Sequence, residues 1–174
     1  MHHIIFYGFS IKIFHDILKM GDEFMIHLEE LNKSNLFEVI KLYDTLSEYQ
    51  KKCVAPNSIS IAQAYVNPQA WPRVIYVDDT MIGFVMISTH DEDIPKDDQP
   101  SYYLWRFMVA CPFQHKGYGK KVLDLIIDKA RNEHQSYLYT SCEMEGDMPY
   151  QFYIKYGFID TGINDGEQVL KYKL

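Results

Sequence analysis

The chain has 174 residues, 47% of them hydrophobic, and a formal net charge of −7. That is enough for one domain with a full core, and the acidic balance argues against nucleic acid as the main partner. Three cysteines, Cys53, Cys111 and Cys142, form no Cys-x-x-Cys pair, and seven histidines form no His-x-x-x-His cluster. Reduced thiols, a cytoplasmic setting and no metal site are expected.

Residues 1–24 are apolar and aromatic but interrupted by Gly8 and polar side chains. The segment is too short and mixed to span a membrane, and it lacks the basic start and cleavage site of a signal peptide. One reading is an additional element docked on the domain. The preferred reading is an over-called start: Met20-Gly21-Asp22-Glu23-Phe24-Met25 is encodable with a ribosome-binding-like GGAGATGA shortly before an ATG, so the domain would begin at Met25 and run over 25–174.

From Met25 to Leu31 the side chains alternate as in a strand. Ser34 is placed to cap a helix through Leu36, Val39, Ile40, Tyr43 and Leu46, ending at Glu48-Tyr49-Gln50. After Pro56-Asn57, Ser58 is placed to cap a second short helix through Ile59, Ile61, Ala62, Tyr65 and Val66. Arg73 to Val77 and Met81 to Thr89 form a hairpin around Asp78-Asp79-Thr80. Residues 90–100 are the most acidic run and read as a loop.

Tyr102 to Val109 is aromatic and branched, suited to a pleated surface, and Pro112 stops it. Val122, Leu123, Ile126, Ile127 and Ala130 then fall on one helical face. Between the two lies Gln114-His115-Lys116-Gly117-Tyr118-Gly119. The first amides of a helix lack internal partners, and glycine lets a ligand approach the backbone closely. With Lys116, Lys120 and Lys121 nearby, a phosphate or pyrophosphate is the natural guest. A P-loop would need a hydroxyl at Lys121, and a dinucleotide fingerprint would need glycine at Val122. An ordinary glycine turn is the plain alternative. Ser136 to Ser141 reads as a strand, joined to the preceding one by a right-handed crossover. Pro149 opens a helix through Tyr150, Phe152, Tyr153 and Tyr156, and Gly157 is placed to cap it. Phe158 to Thr161 and Gln168 to Tyr172 form a closing hairpin around Asn164-Asp165-Gly166.

Two motifs carry a resemblance. Gln-x-x-Gly-x-Gly at Gln114–Gly119 resembles the pyrophosphate loop of GNAT N-acetyltransferases, and Tyr153-Ile154-Lys155-Tyr156-Gly157-Phe158 matches that superfamily's Tyr-x-x-x-Gly-Phe. The element order over roughly 25–174 resembles the whole GNAT layout. The resemblance implies an α/β (α+β) fold, with a mixed, mostly antiparallel sheet of about six to seven strands flanked by about four helices. Ser60–Tyr65, Ile82-Gly83-Phe84, Arg106-Phe107-Met108 and the Gln114–Gly119 loop are similar to bacterial spermidine/spermine acetyltransferases.

By that resemblance, acetyl-CoA is the co-substrate. Phe107, Met108 and Val109 would pair their backbone with its pantetheine arm, and Gln114, His115, Lys116, Gly117, Tyr118, Gly119 and Lys120 would hold its pyrophosphate. Tyr153 would act as general acid beside the sulfur, since a phenol stays protonated at neutral pH. An aromatic core stripe with Tyr150, Phe152 and Tyr156 is the alternative for Tyr153. The acceptor would be a small primary amine, such as a polyamine, with Glu48, Tyr49 and Trp105 as candidate contacts and Asp91, Glu92 and Asp93 as an acidic lure. A non-catalytic acyl-CoA sensor and a protein or peptide N-acetyltransferase are the alternatives. No metal, nucleic acid or membrane is implied, and a homodimer is a family expectation. Three positions depart from relatives: Gly146 stands in place of Asn, Trp105 in place of an acid, and Ala110 in place of Asp.

Overall fold

A computed structural model describes residues 24–143 and 148–174. The sequence features of residues 1–23, including the over-called start, and the departure at Gly146 lie outside the described residues.

Seven strands form one sheet in the order β1-β2-β3-β4-β5-β7-β6. They are β1 (Ile26–Glu29), β2 (Ala70–Val77), β3 (Thr80–Ser88), β4 (Ser101–Val109), β5 (Tyr137–Cys142), β6 (Ile159–Asn164) and β7 (Glu167–Lys173). Only β4 and β5 are parallel; the other neighbours are antiparallel. The helices are α1 (Leu36–Leu42), the single turn α2 (Gln50–Cys53), α3 (Asn57–Val66), α4 (Tyr118–Asn132) and α5 (Met148–Tyr156). The mixed sheet flanked by helices matches the expected architecture.

The centre of the sheet is buried on both faces. Val122, Leu123, Ile126, Ile127 and Ala130 of α4 join Ile75, Val85, Ile87, Leu104 and Leu138 on one face. Each such side chain contributes roughly 1.5–3 kcal/mol for the larger apolar groups. Val39, Val74, Phe84, Met86 and Met108 form the core of the other face. β3 lies between these cores, and every residue of it after Thr80 is buried.

Local chemistry moves several boundaries. Asn35, not Ser34, precedes α1; the Asn32 side chain accepts from the Ser34 and Asn35 amides and organises the turn, while the Asn35 side chain accepts from the Asn32 amide. Pro56, not Ser58, precedes α3, its fixed φ setting the entry. The first expected helix divides: α1 ends at Leu42, a 3-10 turn covers Tyr43–Thr45, and α2 follows. β2 begins at Ala70 and so includes Pro72; β1 pairs only with Val74–Val77, leaving the proline at an open edge. The acidic loop holds a 3-10 turn at Lys96–Asp98 and is tied down there by Asp98, which bonds Lys171 at 2.7 Å and the Tyr139 hydroxyl. The last hairpin turns at Asp165-Gly166, both at positive φ, and Asn164 belongs to β6.

Candidate active site

β4 and β5 pair from Ser101↔Tyr137 to Leu104↔Thr140 and then part, although β4 continues to Val109. Just past that point β4 carries a bulge: Met86 pairs with Arg106 and Ile87 with Leu104, leaving Trp105 without a partner. A bulge bends a strand and strengthens its twist, which helps carry β4 away from β5. The gap opens into a cleft of about 1230 Å³.

The backbone alternation of β4 decides which groups face this gap. The Ala110 N–H donates to the Ile82 carbonyl at 2.8 Å, and the Met108 carbonyl lies close against Gly83. The polar groups of Met108 therefore turn toward β3, and those of Phe107 and Val109 turn toward the gap. The Met108 side chain is buried in the core with its sulfur 3.5 Å from the Asn57 amide. The Val109 carbonyl already accepts from the Gln114 side chain at 2.7 Å, and Gln114 in turn accepts from Gln50 at 2.9 Å.

At the end of the gap stands the N-terminus of α4. Gly117 caps it at φ 82, and His115 also has positive φ. Lys121 makes the first bond back, to the Gly117 carbonyl at 3.3 Å, so the amides just before it have no partner inside the helix. No acidic residue occupies the first turn, and Lys120 and Lys121 lie there. Open space surrounds the Cα of Gly117, whereas Gly119 lies against the rings of Phe152 and Phe107. Backbone donors, a positive helix end and lysine charge together make an anion site.

Tyr153 lines the cleft and is almost fully buried, between the rings of Phe152 and Phe158. It belongs to the core, as the aromatic-stripe reading expects, and it also lies in the cleft wall. Its phenol lies beside the Thr140 hydroxyl, and burial pushes its pKa well above the ordinary value. The Thr140 hydroxyl donates to the Leu104 carbonyl at 3.1 Å, leaving its oxygen able to accept from Tyr153.

The other candidates divide. Trp105, Tyr49, Gln114, His115, Gly117, Gly119 and Lys120 line the cleft with Phe107, Met108 and Val109. Lys116 lies outside its lining, 5.5 Å from the Phe113 ring, and Tyr118 packs edge-on to Phe24. Glu48 is also outside it, strongly exposed and paired with Lys51 at 2.9 Å. The Arg106 guanidinium lies 5.1 Å from the Trp105 ring. Asp91 and Asp93 line the cleft, whereas Glu92 does not. Gln50, Thr140, Tyr103 and Glu167 also belong to the cleft and escaped the sequence reading. A signal for Gln50 is present: Ser47-Glu48-Tyr49-Gln50 has capping-box spacing, and Ser47 and Gln50 bond reciprocally at 3.1 and 3.2 Å. The three free cysteines include a buried Cys142 whose thiol burial pushes up to about 11, the opposite of an activated nucleophile. Among the described residues no group of three or more His, Cys, Asp or Glu is arranged to hold a metal, and no helix is long and apolar enough to cross a membrane.

A family model described as "Acetyltransferase (GNAT) family" matches residues 37–158. Solved structures share the fold. The PaiA N-acetyltransferase of Thermoplasma acidophilum, in complex with coenzyme A, is 17% identical with a TM-score of 0.62, covering 86% of this chain and 99% of that one. A GNAT family acetyltransferase from Elizabethkingia anophelis with acetyl-CoA bound is 19% identical with a TM-score of 0.62, covering 88% and 99%. Arabidopsis thaliana Naa50, in complex with the bisubstrate analogue CoA-Ac-MVNAL, is 18% identical with a TM-score of 0.61, covering 86% and 99%. No curated protein sequence matches the chain.

Proposed function

The chain belongs to the GNAT acetyltransferase family, and from that premise we propose that it moves an acetyl group from acetyl-CoA to a primary amine by direct attack within a ternary complex. The observation that carries this reading is the gap between β4 and β5, with unpaired helix amides at one end and the Tyr153 phenol in its wall. The residues present fit the coenzyme. The α4 amides and Lys120 suit its pyrophosphate. The gap-facing polar groups of Phe107 and Val109 suit an extended amide-bearing arm added as a strand.

Acetyl-CoA supplies an activated acyl group; the chain supplies placement and proton handling. Tyr153 holds a proton that it donates toward the departing sulfur. Burial raises the phenol's pKa, so Tyr153 meets the reaction in its protonated form. A free alkyl ammonium titrates at about 10.4, so the acceptor must shed a proton before it attacks. Asp91, Asp93 and Glu167 along the cleft favour a cationic acceptor, spermidine and spermine among them. The unpaired thiols suit a reducing cytoplasm, and residues 25–174 form the catalytic domain.

A thiol-release assay tests the reading with spermidine, spermine, simple diamines and short peptides as acceptors, beside calorimetry with acetyl-CoA. Turnover that is greatest with polyamines is expected. Preference for peptides would move the acceptor to protein N-termini or lysines. Binding of acetyl-CoA without turnover on any acceptor would make the protein a sensor.

A further inference from the structure

We propose that Gln50 is a positioning residue for acetyl-CoA: through Gln114 it fixes the start of the pyrophosphate loop against the end of β4. This rests on the acetyl-transfer reading and adds to it a residue that acts through another.

The contact is a chain of hydrogen bonds with backbone at both ends. Gln114 Nε2 donates to the Val109 carbonyl at 2.7 Å. Gln50 Nε2 donates to Gln114 Oε1 at 2.9 Å. Gln50 Oε1 in turn accepts from the Ser47 N–H at 3.1 Å and from Cys111 Sγ at 3.3 Å. A backbone carbonyl can only accept, and a backbone N–H can only donate. The two ends therefore leave each side-chain amide one orientation, with its NH2 directed toward Val109. A second tie runs beside the first: the Cys111 N–H donates to Thr45 Oγ1 at 3.3 Å. The 3-10 turn Cys111–Phe113, which leads from β4 to Gln114, is thus held at both ends by residues 45–50.

This junction is where leverage over the coenzyme is greatest. Val109 is the last residue of β4, and Gln114 opens the loop that ends at the mouth of α4. A ligand that lays its arm along β4 and its pyrophosphate on the α4 amides must meet both at once. Fixing their separation beforehand removes an ordering cost from binding. The anchor comes from 64 positions away, in the turn α2, beside Tyr49 and Lys52 of the cleft lining. Tyr153 is not a member of the chain, so the bridge bears on binding rather than on proton transfer.

Gln50 also has a local role, which a substitution can spare. Its own N–H donates to Ser47 Oγ at 3.2 Å, completing a capping box with the Ser47 amide. Glutamate serves such a box as well as glutamine does. An ionised glutamate has no N–H to offer Gln114, however. Gln50→Glu therefore keeps the cap and cuts the bridge. Gln50→Met cuts the bridge while adding no charge.

The test compares wild type with Gln50→Glu, Gln50→Met, Gln114→Ala and the Gln50→Met/Gln114→Ala double variant. Calorimetry with acetyl-CoA, urea unfolding and steady-state kinetics with the best amine of the panel are the readouts. Each single variant should bind acetyl-CoA roughly threefold to tenfold more weakly, the effect of one lost hydrogen bond. The loss should appear in KM for acetyl-CoA, with kcat at saturation close to wild type. The urea midpoint of Gln50→Glu should stay at the wild-type value. The double variant should bind no more weakly than Gln114→Ala, because the bridge is already cut there. Wild-type affinity in both Gln50 variants, a loss confined to the charged one, additive losses or a fall in kcat alone would overturn the positioning role and leave the transfer reading standing. A wild-type protein that binds no acetyl-CoA would overturn the transfer reading, and the role of Gln50 with it.

Discussion

Phe158 donates its backbone N–H to the Tyr153 carbonyl at 3.0 Å, and the two rings pack with centroids 5.2 Å apart. Gly157 lies between them in sequence at φ 120, and its N–H bonds the carbonyls of Tyr153 and Ile154, both at 3.1 Å. The Tyr-x-x-x-Gly-Phe motif is thus a helix C-cap with its hydrophobic contact, and the cap helps fix the phenol in the cleft wall. Gly157→Ala should cost about 1–3 kcal/mol, since an L side chain is strained at that φ. A Cβ there would also meet the Tyr172 ring at 3.3 Å. Urea unfolding gives the stability loss, and a larger fall in kcat than in acetyl-CoA affinity would show that the cap aims the phenol.

Tyr153→Phe separates the phenol's chemistry from its packing. The ring contacts with Phe152 and Phe158 survive; only the hydroxyl beside Thr140 is removed. The expected outcome is a fall in kcat of roughly 10²-fold or more, with acetyl-CoA affinity by calorimetry close to wild type. An unchanged kcat would return Tyr153 to the core stripe alone.

The parts of the site set by local chemistry were readable in the residues. Glycine and lysine at the mouth of α4, and the cap that follows Tyr153, depend on a few neighbours in sequence. The gap itself was not readable. It depends on where the β4–β5 register ends and on the bulge that leaves Trp105 unpaired, both set by contacts between distant strands. The same holds for Gln50, which reaches Gln114 across 64 positions, and for Ser141 and Glu167, which meet only because β7 inserts between β5 and β6. Helix starts failed for a local reason: Asn32 and Pro56 competed with the serines that looked like caps.

Gly83 permits the close approach of β3 and β4. A Cβ at that position would lie 2.4 Å from the Met108 carbonyl and 3.0 Å from the Ile75 side chain. The carbonyl is backbone and cannot swing aside, so Gly83→Ala must push apart the strand that walls the cleft. A loss of about 1–3 kcal/mol is expected from the overpacking, read as a lowered urea midpoint. Acetyl-CoA affinity should fall with it, because Phe107 and Val109 move with Met108.

Asp98 anchors the acidic loop to β5 and β7 through Tyr139 and Lys171. Hydrogen bonds from Lys171 and Tyr139 hold its carboxyl below the usual carboxylate range, while Asp98 raises the Lys171 pKa. For Asp98 the depressed folded pKa means that its contribution is present above the unfolded value of about 3.9 and lost as pH falls through the folded one. For Lys171 the raised pKa means the reverse: its contribution is present below about 10.4 and lost as pH rises through the folded value. Burial and Asp98 push Tyr139 up to about 12, so it stays protonated across that interval. The stability difference between wild type and Asp98→Ala should therefore be flat from roughly pH 5 to pH 9 and decline on both sides. Thermal unfolding across pH measures it, and a difference that keeps growing below pH 4 would show that the ion pair is not its source.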